Sequence, residues 1–277
     1  MRYLEQNNWK TNRPVDDKNS FSENIMRTGN YPSENHEIKL TSRLTNYVLA
    51  LCLTVFCSLA AQAKPFGLEP ASEWKLKKDK NGIQIYTQKI RGIKHRAVKA
   101  EASVEGLTAH AVIAVILDAE ACPNWADLCK RSFVHSTNAV DDYYVYTEND
   151  LPSPVKNRDA VNHVKWHIDP ESGAAIMNSI ATPDVMEKQP RNVRIRDARI
   201  QWIIEPTKTG VNIRNWALID PVGIPSWISN QLLVGAPFKT LSGLIAEAKK
   251  EPYSSASSDF FDQLRPITTT KHAEAQD

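Results

Sequence analysis

The chain has 277 residues, 42% hydrophobic and 24% charged, which is ordinary for a globular protein and excludes wholesale disorder. Its 34 basic and 32 acidic residues leave a net charge of +2, so no broad basic field is present to hold nucleic acid by counterion release. Basic residues gather locally at Arg191, Arg194, Arg196 and Arg199, but Asp197 interleaves them and they read as solvated surface, with an anion or headgroup contact as the alternative.

Residues 1–40 form a polar leader without a sustained apolar period, and such a stretch cannot bury enough surface to offset the entropy of ordering it. Lys39 and Arg43 then precede an apolar run from Tyr47 to Ala61 that closes on Ala61-Gln62-Ala63. Basic flank, apolar stretch and small-residue cleavage site predict a signal peptide over 41–63 and an exported, periplasmic or extracellular product. The run is short against the roughly 20 residues that span a bilayer, so uncleaved anchoring is the lesser alternative. A signal placed so far into the chain implies a later translation start, for which Met26 is one candidate, with a long cytoplasmic leader as the alternative.

In the remainder, Phe66–Trp74 predicts a short opening helix, and Gly82–Gln88 and His95–Val104 predict strands. Thr108–Asp118 has its apolar residues at helical spacing. Cys122 and Cys129 form an even pair suited to an oxidising compartment. Along one continuous helix they would sit about 10 Å apart, beyond disulfide reach. Pro123 favours a turn or helix start there, so the pair can instead close a short loop as a disulfide. With no histidines beside them, two thiols do not make a metal site.

Strands follow at Phe133–Asn138, Asp142–Glu148, Ala160–Ile168, Ala174–Ala181, Val193–Glu205 and Val211–Leu218. A long amphipathic helix over Pro225–Lys250 closes the domain, kinked or divided at Pro237, with Trp227 as a packing anchor. Residues 254–277 read as a disordered polar tail, leaving one domain over 64–253. The fold class is α+β, a curved antiparallel sheet around a long C-terminal helix, and such a layout leaves room for an internal apolar cavity.

Three ordered segments carry a resemblance. Pro154 to Val161, with Arg158-Asp159 inside it, resembles the "P…R-D-x-V" stretch of the START lipid-transfer domains. Trp202 to Pro206 is similar to that family's strand ending in "W-x-x-x-P". Asp220-Pro221 to Ile224-Pro225 resembles the family's approach to its last helix, departing by one residue between the two pairs. The resemblance spans about residues 70–250 and implies a helix-grip fold with one lipid or other hydrophobic small molecule in a cavity. It implies no catalytic residue and no cofactor. It places a cavity arginine at Arg158 with Glu148 as its acidic partner, on the reasoning that a charge at an apolar wall needs pairing. The alternative is that Arg158 and Asp159 only fix the strand after Pro154.

By the same resemblance, Thr182–Asn192 is the loop beside the cavity mouth, with Val185 and Met186 either touching a membrane transiently or packing on the domain. Trp166, Trp202 and Trp216 on strands, with Leu233 and Phe238 on the last helix, are the remaining candidate ligand contacts; ordinary core packing is the alternative for each tryptophan. Related helix-grip proteins include polyketide cyclases and aromatases, so an enzyme is one alternative and a non-transferring lipid sensor another. His163 and His167 share a strand face with Lys165, opposite Val164, Trp166 and Ile168, and so are expected to face solvent rather than act as bases.

Overall fold

Asn81 and Gly82, both at positive φ (54° and 73°), turn the chain back between β1 (Lys75–Lys80) and β2 (Ile83–Lys89). The computed structural model describes residues 65–224 and 226–257 together with Leu264. The polar leader, the expected signal and most of the tail lie outside the described residues, as does the side chain of Trp227. β3 (Arg96–Glu105) leads to α1 (Ala109–Leu117), where the Thr108 hydroxyl accepts from the Ala111 N–H at 3.1 Å and so caps the first turn. A short α2 (Cys122–Trp125) follows. The Cys122 and Cys129 sulfurs are bonded, closing the short loop across Pro123, with Cα atoms 6.0 Å apart.

Six further strands build most of the sheet: β4 (Cys129–Ala139), β5 (Asp142–Asn149), β6 (Arg158–Ile168), β7 (Ala175–Ala181), β9 (Ala198–Pro206) and β10 (Gly210–Ile219). β8 (Val193–Arg194) is a two-residue strand parallel to the start of β6. The sheet order is β1-β2-β3-β10-β9-β7-β6-β5-β4, antiparallel at each step. α3 (Ser226–Glu247) packs on one face, burying Leu241 and Leu244 completely; Ala248, just past its end, is completely buried too. It runs through Pro237 as one element. Gly243 lets it close on α2, since a Cβ there would lie 2.2 Å from the Trp125 carbonyl oxygen.

The main core joins this face to both helices, with Ile85, Ala100, Trp202, Ile204, Ile213 and Trp166 from the sheet and Val112 and Val115 from α1. The expected fold class is therefore the observed one.

Three local expectations change. No helix forms over Phe66–Trp74: after a 3₁₀ turn at Pro65–Gly67 the chain runs extended along β2, donating from Ala71 N–H to the Lys89 carbonyl and accepting at Glu69 from Arg91 N–H. The long strand expected over Val193–Glu205 divides into β8 and β9 around Ile195–Asp197. The expected tail begins with a 3₁₀ turn at Tyr253–Ser255, and Leu264 is buried in the main core. An apolar residue inside a polar segment can still find the core, which composition alone does not reveal.

Candidate functional site

Strand register decides which side chains meet α3. Side chains directly opposite in an antiparallel pair share a face. Trp166 on β6 stands opposite Met177 on β7, and Met177 opposite Trp202 on β9, so the three form one row on the inner face. The Trp166 indole N–H donates to the Tyr143 hydroxyl at 2.9 Å, leaving that hydroxyl its own proton to give. Burial of the Tyr143 phenol pushes its pKa up, so it stays protonated. Trp125 from α2 meets Trp202 edge to face, with ring centroids 6.2 Å apart.

Three polar atoms on this side are buried without a partner among the described residues: the Thr87 hydroxyl, opposite Val98 on the β2–β3 pair, the Trp125 Nε1, a donor, and the Asn162 Oδ1, an acceptor. Asn162 shares its strand face with Trp166 and Val164. α3 is packed unevenly over the region. Leu241 and Leu244 are wholly buried, whereas all of 232–238, Leu233 and Phe238 included, is only half-buried. The Lys78 ammonium lies 3.7 Å from the Phe238 ring centroid and covers its outer side.

Arg158 is buried, as expected of a cavity arginine, but its partners differ from the expectation. Its guanidinium donates to the carbonyls of Pro221 (3.1 Å), Val222 (2.6 Å) and Lys156. Desolvation holds its pKa below the usual arginine value. The expected pairing with Glu148 is not formed. Glu148 stands opposite Asp159, and Arg158 opposite Asn149, so the two charges lie on opposite faces of the sheet. Glu148 is instead held by Lys130 (3.1 Å) and Arg131 (2.8 Å). Burial pushes its carboxyl up, but those two hydrogen bonds outweigh it and leave the pKa below the ordinary value.

Asp159, on the outer face, forms a two-point ion pair with Arg194 at 2.9 and 3.1 Å, both side chains being essentially inaccessible. Arg194 also donates to the carbonyls of Pro183 (2.6 Å), Met186 (2.9 Å) and Glu187 (3.1 Å). It thus fastens the loop 182–192 to the sheet, leaving Val185 exposed and Met186 half-buried. Trp216 does not join the inner row. It stands opposite Lys99 and Gln201, on the face turned away from α3, so its place as a ligand contact is withdrawn.

This arrangement, an antiparallel sheet closed by a C-terminal helix, is shared with known proteins. Residues 67–248 match the START domain family model. The chain belongs to the START domain family. A STAR-related lipid transfer protein of Xanthomonas axonopodis is 32% identical, with a TM-score of 0.60 over 65% of this chain and 100% of that one. Human StAR-related lipid transfer protein 5, at 16% identity and TM-score 0.55, shares the fold across 75% of this chain and 96% of its own. An uncharacterised Pseudomonas aeruginosa protein is 29% identical over 182 residues, 65% of this chain and 89% of the relative.

Membership implies a lipid or other hydrophobic ligand, in a family whose members generally bind rather than catalyse. In this START domain His163 and His167 have the phase of the outer face. His163 stacks on Tyr144 and its Nε2 lies 2.6 Å from Asp142, whose pKa is held well below the carboxylate range by His163 and Lys165. Sequence reasoning missed Trp125, Tyr143, Asn162 and Arg194. Trp125 sits in the short helix beside Cys122, a helix too brief to show periodicity, and Arg194 was read as solvated surface because it lies among other arginines.

Proposed function

We propose that this START domain binds a single lipid between the inner sheet face and the first half of α3, outside the cytoplasm, and passes it between membranes. The observation that carries the reading is the pair of unpartnered atoms Trp125 Nε1 and Asn162 Oδ1, set among the largely apolar residues of the main core. A buried polar group without a partner costs about 1–3 kcal/mol, and a ligand hydroxyl, carbonyl or phosphate oxygen would relieve it. The half-buried stretch 232–238 supports the same location, because apolar side chains there retain surface for a ligand to cover. Export rests on the sequence from Tyr47 to Ala63.

Mass spectrometry of an organic extract of the purified protein tests the binding. A stoichiometric phospholipid, isoprenoid or sterol-like species is expected, and an empty protein indifferent to added lipids would overturn the reading. Asn162→Leu supplies the internal control: ligand retention should fall while stability holds or rises, since an unpaired oxygen is removed. Vesicle-to-vesicle transfer then separates a carrier from a sensor. A sensor would load lipid without accelerating exchange.

A further inference from the structure

The first two strands and their hairpin carry a charge imbalance that the chain total conceals. Residues 75–96 contain eight Lys and Arg and one Asp, against a net charge of +2 for all 277 residues. Half of these cations, Lys89, Arg91, Lys94 and Arg96, line one groove of about 400 Å3 around the β2–β3 turn at Gly92. All four are exposed, and none has an acidic partner among the described residues. The acidic neighbours are Glu69, whose carbonyl accepts from the Arg91 N–H, and Asp220, which is taken by His95 at 3.1 Å. Four unpaired cations around one turn repel one another, a cost that an anion would offset.

The position of this groove limits what the anion is. The His95–Asp220 contact sets the hairpin beside Pro221 and Val222, whose carbonyls Arg158 holds just before α3. Asp220 N–H also donates to the Asp197 carbonyl, and Ile180 stands opposite Arg199, so the loop 182–192 opens at the same end of the sheet. That end therefore presents exposed Val185, half-buried Met186 and Ile93, and the basic groove together. Apolar tips beside unpaired cations suit a surface with anionic headgroups over a hydrocarbon interior.

We infer that the Lys89–Arg96 hairpin is a docking site for an anionic bilayer, seating the end of the domain that holds Arg158 and the loop 182–192 against the membrane. This rests on the lipid-binding reading for its purpose and not for its chemistry. The test is co-sedimentation of the full chain with vesicles of phosphatidylcholine alone and with vesicles in which about a third is phosphatidylglycerol. Each cation near an anionic surface is worth about fivefold in partitioning. The variant K89S/R91S/K94S/R96S should thus bind the anionic vesicles roughly hundredfold more weakly or worse. Its binding to neutral vesicles should be unchanged, and wild-type binding should fall as salt is raised.

K77S/K80S, at the far end of β1, should bind as wild type. Equal partitioning of wild type to both vesicle types would overturn the inference, as would a quadruple variant matching wild type or an equal loss in K77S/K80S. Inorganic phosphate that displaces the protein better than chloride of equal ionic strength would assign the groove to free phosphate instead, and so overturn the bilayer. The milder K89Q/R96Q pair gives an intermediate loss if the larger change disturbs folding. Lipid extracted from the quadruple variant should match wild type, which separates failure of docking from failure of ligand binding.

Discussion

Replacing Arg194 with Ala tests the most concentrated interaction in the domain. The side chains of Arg194 and Asp159 are 2% and 0% exposed, so the substitution strands a carboxylate where water cannot reach it. Removing one partner of a buried pair costs about 3–5 kcal/mol, a large share of the roughly 5–15 kcal/mol that holds a typical domain folded. The carbonyls of Pro183, Met186 and Glu187 lose their donor in the same step, and the loop 182–192 can recover those bonds only by lifting into water. Urea unfolding should show the lost stability, and hydrogen exchange should quicken at the loop amides ahead of the sheet. Arg194→Lys keeps a charge but not the two-point geometry, and should fall between. Asp159→Ala with Arg194→Ala should recover about 1 kcal/mol or more over the single variant, because no charge is stranded. An Arg194→Ala protein within about 1 kcal/mol of wild type, with its loop amides equally protected, would refute the reasoning.

Three further outcomes follow from the same structure. Glu148 has a lowered pKa in the folded state, so its contribution is present above the ordinary value near 4.5 and is lost as pH falls toward the lowered one. Glu148→Gln should therefore cost about 1 kcal/mol at pH 7 and progressively less as pH is taken below 4.5, read from urea midpoints along that series. Cys122→Ser with Cys129→Ser opens a loop of sequence separation 7 and should lower unfolding free energy by about 2.5 kcal/mol, abolishing the effect of a reductant on wild type. Gly243→Ala puts a methyl group against the Trp125 backbone and should cost about 1–3 kcal/mol by prising α2 from α3, visible as a shift in Trp fluorescence and in Tm.

The layers of the fold are legible because their signals are periodic. Ile83 and Ile85 alternate, the Thr108–Asp118 stretch repeats at helical spacing, and Asn81-Gly82 marks a turn that needs positive φ twice. β1 has no such signal. Its sequence Lys-Leu-Lys-Lys-Asp-Lys is polar on both faces, with Leu76 51% exposed, and it is a strand only because β2 offers it an edge to pair with. The site residues divide along the same line. Trp166 and Trp202 lie on the inner face as expected, but Trp216 does not, since whether a strand residue faces in or out turns on one residue of register. The same parity separates Glu148 from Arg158. No composition or motif supplies it, because it depends on which residue of β5 stands opposite which residue of β6.

That parity also gives the Arg158-Asp159 pair a meaning its sequence does not announce. Neighbouring residues on a strand point to opposite faces, so one dipeptide grips two different segments. Arg158 reaches inward and takes the carbonyls of Pro221 and Val222 just before α3. Asp159 reaches outward and, through Arg194, takes the loop 182–192. A Lys at 158 could not serve three carbonyls from a planar fork, and a Glu at 159 would push a buried two-point pair out of register. The dipeptide is thus accounted for without any contact to a ligand. Three of the five guanidinium N–H donors are used in this way, so two remain for a headgroup while the lead-in to α3 stays held. Ligand contact at this residue would therefore add to its grip on the helix lead-in, and hydrogen exchange at 220–224 should slow, not quicken, when lipid is bound.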